Sequence, residues 1–301
     1  MLTDIEINKF NKYGYLHLKN IFTKDEVKKY RDEIIIQYDT NLLSQSSKTD
    51  LLSQNILDDL LLDSRILNRI KSLIGQNIIY FGDSSWLLYQ PNKNNLTGAY
   101  HTDNADRYWK GPDWNGNYPL IRFGIYLQDH SKQGGGIIFG GKTHKFFIQR
   151  TLLRVIYQEI IGIFNGNFRY IPYEIGDLVI WNLRTVHSGN ASRIKFINIP
   201  ISNRLSKILP QFLQLKCKDI RVLVSGTFGK EGKHLNRYIK YLKTRKYQIE
   251  QWLNDKISSK NLKKMTENNI KYLDMKVLIK KEIEDGIIKI DELKSEHIDI
   301  N

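Results

Sequence analysis

The chain predicts a mainly β fold with flanking helices, built on a double-sheet jelly roll. Three observations point there. Between residues 78 and 199 the apolar residues fall in short runs separated by Gly- and Asn-rich turns. Before residue 75 the spacing is helical and the helix ends carry capping residues. After Pro200 the chain is Lys-rich, and its spacing is again mostly helical. The expected organisation is a jelly-roll domain with N-terminal helices over 1–202 and a helical C-terminal appendage over 203–301.

In order, Thr3 caps a short helix carrying Ile5, Ile7 and Phe10, which Gly14 ends. Residues 15–18 read as a strand. Thr23-Lys24-Asp25-Glu26 is a capping box opening a helix toward Tyr38. Residues 41–58 are polar and read as a loop or lid with some helix. Residues 60–74 have helical spacing and stop at Gly75. Strands follow at 78–81 and 86–90, then a turn at 92–97. Residues 106–119 form a long Trp-, Gly- and Asn-rich loop, a type that often carries function. From 120 to 128 the pattern alternates: Ile121, Phe123, Ile125 and Leu127 share one face, Arg122, Gly124, Tyr126 and Gln128 the other. An apolar outside and a cationic inside suit a barrel wall that lines a site. Gly134-Gly135-Gly136 turns into a strand at 137–139. Gly176-Asp177 is a turn before a strand at 178–183, which delivers Thr185 and His187. Asn190-Ala191-Ser192 then turns the chain into a return strand over 193–199. Segments 220–224, 235–243, 247–253 and 277–283 are helical in spacing.

With 301 residues, 41% of them hydrophobic, the chain buries a large core and is not disordered. Its formal net charge of +14 favours anionic partners, although Lys, Asn and Ile are abundant everywhere, as an AT-rich genome produces. The single cysteine, Cys217, excludes an internal disulfide framework and a Cys-based metal cluster. The N-terminus has no apolar signal region, and no window approaches the roughly 18 apolar residues of a membrane span. A soluble, cytoplasmic protein is expected.

The chemistry concentrates in Ala99-Tyr100-His101-Thr102-Asp103-Asn104 and Thr185-Val186-His187-Ser188-Gly189-Asn190. On a strand, His101 and Asp103 point to the same face. A distant His187 would complete two imidazoles and one carboxylate, the set that holds non-haem Fe(II) with positions left open. A bare His-x-Asp is common by chance; the Gly-rich turn and strand between the two halves give it weight. Gly136-Ile137-Ile138-Phe139-Gly140-Gly141-Lys142-Thr143 also fits the GxxxxGKT spacing of a nucleotide loop, but Ile-Ile-Phe within it reads as strand. His17, His130, His234 and His297 show no ligand spacing and read as structural or surface residues. His144 reads as a core residue, and Trp86, Trp109, Trp114 and Trp181 as packing.

Taken together, Phe10-Asn11-Lys12-Tyr13-Gly14-Tyr15, His101-Thr102-Asp103, 135–144, Gly176-Asp177 and 187–193 resemble the phytanoyl-CoA dioxygenase family of Fe(II)/2-oxoglutarate oxygenases. The resemblance spans about 5–200 and rests on the order and spacing of the pieces. It implies a double-stranded β-helix (cupin-like) core and Fe(II) held by His101, Asp103 and His187. It also implies 2-oxoglutarate and O2 as co-substrates, with release of succinate and CO2. The distal carboxylate of 2-oxoglutarate then needs a cation, and Arg bonds a carboxylate bidentately. Arg193 is the first choice, with Lys195 and Arg122 as replacements. Related halogenases lack the carboxylate ligand, so Asp103 favours hydroxylation. The chain departs from the family at Gly141-Lys142-Thr143-His144, where Pro-Gly-Ser-His is common, and in the short interval from His187 to Arg193.

The expected function is hydroxylation of a small anionic molecule. Arg107 and Lys110 follow the His101/Asp103 pair on the 106–119 loop, and 41–58 offers a lid. No aromatic-interleaved basic stripe suggests nucleic acid. The alternatives are a non-catalytic jelly-roll binding protein and a nucleotide-binding protein working through Gly136 to Thr143.

Overall fold

The computed structural model describes residues 1–40, 45–54, 57–91, 97–104, 117–145, 153, 156–197 and 199–293. Helix α1 (Asp4–Tyr13) starts at a reciprocal cap: Glu6 N donates to the Thr3 hydroxyl, and the Glu6 carboxylate accepts from Thr3 N at 2.8 Å. It ends at Gly14, whose φ of 82° a side chain would strain. Strand β1 (Tyr15–Leu18) follows, then α2 (Lys24–Thr40) behind the Thr23–Glu26 capping box. Helices α3 (Leu57–Leu61) and α4 (Ser64–Ile74) complete the N-terminal layer.

The strands are β2 (Ile78–Tyr80), β3 (Ser84–Tyr89), β4 (Leu120–Tyr126), β5 (Gly136–Gly140), β6 (Phe168–Tyr170), β7 (Leu178–Asn182), β8 (His187–Ile194), β9 (Pro200–Ile201), β10 (Gln214–Leu215), β11 (Arg221–Gly229) and β12 (Ile270–Tyr272). They form two sheets. The larger runs β1-β7-β4-β11-β2-β12, with β3 also paired to β11. The smaller runs β10-β8-β5-β6, with β9 on β8. The two facing sheets are the expected jelly roll. As the alternation of β4 requires, Ile121, Phe123 and Ile125 are buried in one cluster with Ile34 of α2 and Leu67 and Ile70 of α4. Each such side chain stabilises by about 1.5–3 kcal/mol.

Two expectations change, and a third holds. First, β11 lies beyond residue 202, in the expected appendage, yet it pairs β4 over seven residue positions and β3 over six. A division at 202 would remove a central strand. Short apolar runs such as 220–224 do not distinguish strand from helix by period. Second, the chain does not turn back at Asn190. β8 runs straight through to Ile194, and a register shift against β5 accommodates an extra residue there, with Asn190 at φ 49°. As the Ile-Ile-Phe run predicts, the GxxxxGKT stretch is strand β5 followed by a tight turn. The Thr143 hydroxyl donates to Gly140 O and accepts from Val186 N, so it closes the turn, and Thr143–Lys145 forms only a short 3-10 turn.

Helices α5 (Asn203–Ile208), α6 (Lys233–Leu242), α7 (Lys246–Asn254), α8 (Ser259–Glu267) and α9 (Met275–Glu284) supply the helical appendage. Leu235, Tyr238, Ile249, Trp252 and Ile279 bury themselves with Phe81, Leu120 and Leu183 of the jelly roll. No described helix is long and apolar enough to cross a membrane.

Candidate metal centre and carboxylate pocket

His101 and His187 face each other across an antiparallel bridge. Each backbone N–H donates to the other's carbonyl at 2.9 Å. Such a directly opposed pair places both side chains on one face, and the ring centroids lie 4.3 Å apart. The Asp103 N–H donates to Leu183 O at 3.1 Å, which anchors the carboxylate beside the start of β8. His101 Nδ1 lies 2.9 Å from Ala99 O and His187 Nδ1 lies 3.0 Å from Thr185 O. A carbonyl only accepts, so each Nδ1 carries the proton and each Nε2 presents its lone pair. His187 Nε2 lies 3.5 Å from Asp103 Oδ1, and one ligating atom from each of the three residues falls within 4.8 Å of the others. The sequence-predicted trio is thus brought together, and its donor set suits a divalent iron.

Asp103 is shaped by its neighbours. Burial pushes its carboxyl up, but Arg122, the two imidazoles and the Trp181 indole outweigh burial and bring it down to about 2. Trp181 Nε1 donates to Oδ2 at 2.8 Å, and Arg122 Nη1 stands 3.3 Å from Oδ1. Trp181 therefore fixes the carboxylate, beyond the packing role its sequence context suggests. A Cβ at Gly124 would lie 3.0 Å from the Trp181 ring, so the glycine on the inward face of β4 gives the indole its place. Phe139 and Trp181 lie 5.9 and 5.6 Å from the His187 ring and make the wall around it apolar.

Arg122 is itself tied down. Nη2 donates to Asp83 at 2.7 and 3.0 Å and to the Tyr238 hydroxyl at 3.1 Å, and Nε donates to Thr227 at 2.8 Å. Tyr238 in turn donates to Asp83 at 2.9 Å. These bonds occupy its fork with protein groups, so it serves Asp103 rather than an incoming carboxylate.

Arg193 and Lys195 do not face the trio. Phe139 pairs His187 and Ile138 pairs Ser188, but Gly136 pairs Ala191. Ser188 and Ala191 therefore share a face although three residues apart, and Arg193 falls on their side, opposite His187. Its guanidinium donates to Ser131 O and lies 4.9 Å from the Tyr170 ring. Lys195 lies in the turn after β8, half-buried, and its N–H donates to Leu213 O.

A different arginine stands on the inside. Arg221, at the start of β11, is buried; Nε donates to Gly135 O at 2.6 Å and Nη2 to the Tyr126 hydroxyl at 3.3 Å. A Cβ at Gly189, two residues past His187, would come within 3.3 Å of Arg221 Nη2. Arg221 thus lies against the strand that carries His187, beside Tyr126 on the inward face of β4. Its place in the chain hides it, 34 residues past His187 and within a segment, 220–224, whose spacing reads as helix. The alternation of Arg221, Leu223 and Ser225 against Val222 and Val224 is the signal that reveals it.

Of the other sequence candidates, His17 Nε2 pairs with Asp177 at 2.6 Å, His130 is buried against Gly134 O, and His234 packs on Tyr118. Arg107, Lys110, Trp109, Trp114 and His297 lie outside the described residues, as does most of the 106–119 loop.

The phytanoyl-CoA dioxygenase (PhyH) family model matches residues 10–194. No curated protein matches the chain. Among solved structures, HygX from Streptomyces hygroscopicus with nickel and 2-oxoglutarate bound is 16% identical, with a TM-score of 0.54 over 76% of this chain and 87% of that one. EctD from S. alaskensis with 2-oxoglutarate and 5-hydroxyectoine is 12% identical, with a TM-score of 0.56 over 76% of each chain. SnoK, a non-heme alpha ketoglutarate dependent carbocyclase from nogalamycin biosynthesis, is 16% identical, with a TM-score of 0.50 over 78% of this chain and 90% of that one. At these identities the likeness is one of fold.

Proposed function

This chain belongs to the phytanoyl-CoA dioxygenase family, and from that premise we propose that it hydroxylates a small anionic organic molecule, releasing succinate and CO2. The family is one of 2-oxoglutarate-dependent non-haem iron oxygenases, and Fe(II) and 2-oxoglutarate are its cofactors. The observation that carries the reading is the convergence of His101, Asp103 and His187 on one point. When bound there, iron and 2-oxoglutarate supply the activation of O2 that C–H hydroxylation needs.

The chain's own residues do the rest. Ala99 O and Thr185 O hold the two imidazoles in the ligating tautomer. Arg122 and Trp181 keep Asp103 ionised and aimed. Phe139 and Trp181 exclude water on the His187 side. Arg221, with the Tyr126 hydroxyl, is our choice for the distal carboxylate of 2-oxoglutarate, in place of Arg193, Lys195 or Arg122. Its support is its burial, its place beside Gly189, and a fork geometry suited to a carboxylate. Asp103 occupies the ligand position that halide would need, which favours hydroxylation.

The anionic character of the substrate is supported by the net charge of +14 and by Arg107 and Lys110, which follow the His101/Asp103 pair in the sequence. The test is substrate-triggered succinate formation across anionic and neutral metabolites at low and high salt, with isotopically labelled O2. Stimulation by anions that weakens with salt, and label in the product, is the expected result. Stimulation by neutral compounds alone, without salt dependence, ends the anionic reading. The carbocyclase SnoK, which shares this fold, motivates a second reading, ring closure; a product without label supports that reading over hydroxylation.

A further inference from the structure

Residues 195–218 connect the end of β8 to β11 and lie beyond the part matched by the family. They hold Lys195, Arg204, Lys207, Lys216 and Lys218, and no Asp or Glu occurs anywhere between Asp177 and Asp219. The same connection displays its apolar side chains. Phe196 is 95% exposed, Ile208 78%, Phe212 70% and Ile197 58%. Single apolar residues scattered over a surface are ordinary, but four large ones on one connection are not.

Hydrogen bonds tie together the parts of the connection that carry these side chains. The Ile194 N–H donates to Ile199 O, closing a tight tip that carries Phe196 and Ile197. The Lys195 N–H donates to Leu213 O, which brings Phe212 beside that tip. Gln214 Nε2 donates to Ser206 O and Leu209 O, drawing the end of α5, with Lys207 and Ile208, onto β10. The positive φ of Phe196, 75°, is a strained setting for an aromatic residue and holds a ring in solvent. Asp219, the first acid after the segment, accepts from Gln133.

We propose that this tip docks the protein on an anionic lipid bilayer. Exposed Phe and Ile side chains enter the boundary between headgroups and acyl chains, while Lys and Arg reach the lipid phosphates and carboxylates around them. An acid-free basic segment suits a negative leaflet by charge complementarity, and its long aliphatic stems tolerate the interface. A nucleic-acid partner would leave Ile197 and Ile208 unused, and an apolar protein partner would not call for the five cations of the segment. The tip lies at the end of β8 remote from His187, roughly 20 Å along the strand. Docking there leaves the metal end of the barrel facing away from the bilayer, so it places the enzyme without blocking its site.

The experiment is cosedimentation of the full chain with vesicles of phosphatidylcholine and phosphatidylserine, and with vesicles of phosphatidylcholine alone, at low and high salt. Binding to the mixed vesicles, weakened by salt and much lower on the neutral ones, is expected. The double variant Phe196→Ser/Phe212→Ser and the double variant Arg204→Gln/Lys207→Gln should each lower binding by about tenfold. Circular dichroism and 2-oxoglutarate turnover of both variants should match the parent, because no residue changed lies in the site. Three results overturn the proposal: no binding of the parent chain to mixed vesicles, equal binding to neutral ones, or a concentration-dependent dimer abolished by the Phe variants, which would make a second copy the occupant.

Discussion

At the scale of single residues, the site depends on how one carboxylate is held. Asp103 gives one oxygen to Trp181 and presents the other to His187 Nε2 and Arg122. Arg122 carries a full charge beside a position meant for a cation, which repels metal unless its own charge is balanced. Asp83 balances it, and Thr227 and Tyr238 fix the direction of the guanidinium. Tyr238→Phe keeps the ring and removes both hydroxyl bonds, each to a charged partner and so worth about 1.5–3 kcal/mol. It should weaken Fe(II) binding roughly tenfold, measured by anaerobic titration, with little change in the KM for 2-oxoglutarate. An unchanged iron affinity would show that Tyr238 only packs. His101, Asp103 and His187 are legible in the sequence because ligand chemistry restricts residue type and spacing. Asp83 and Tyr238 are not, because a residue that holds another acts through tertiary distance, which a linear pattern does not carry.

At the scale of elements, β8 and β11 decide which cation meets 2-oxoglutarate. Strand alternation from His187 would put Arg193 on the metal side, and the extra residue at Asn190 reverses that. A bulge of one residue has no reliable period signature, so alternation misleads at that joint and not elsewhere. The helix caps at Thr3 and Thr23, the alternation of β4 and the strand before His187 are all legible, since local chemistry and burial agree there. β11 is hidden because its nine residues follow a long basic connection and precede four helices. The consequence is measurable. Arg221→Ala should raise the KM for 2-oxoglutarate roughly ten- to a hundredfold, from the loss of a charged hydrogen bond of about 1.5–3 kcal/mol. Arg193→Ala should leave that KM unchanged while lowering thermal stability. The reverse ranking would return the assignment to Arg193.

At the scale of the whole molecule, the appendage is joined to the jelly roll by a buried acid pair as well as by its apolar core. The Asp50 N–H donates to Asp255 Oδ1 at 2.7 Å, linking the segment before α3 to the end of α7. The Asp50 carboxylate accepts from the Ser84 N–H at 3.1 Å, the Ser84 hydroxyl at 2.6 Å and the Tyr80 hydroxyl. Burial pushes both carboxyls up, and the charge of Asp50 raises Asp255 further. A raised carboxyl keeps its proton in the folded chain at pH values where the unfolded chain has lost it. Its stabilising contribution is therefore full below the ordinary carboxylate range and is lost as pH rises through the folded value. Thermal unfolding should move to lower temperature from mildly acidic to mildly alkaline pH, and Asp255→Asn should flatten that slope. Each kcal/mol recovered shifts the midpoint by about 2–4 °C or less in a chain of this size. A slope identical in the variant would place the pH dependence elsewhere. The direct test of the metal centre is Fe(II) binding to the wild-type chain and to Asp103→Ala under anaerobic conditions with 2-oxoglutarate present. The wild type should take up a single Fe(II), and the variant should lose both the metal and 2-oxoglutarate turnover. Full iron occupancy with undiminished turnover in Asp103→Ala would contradict the assignment of this trio as the metal centre.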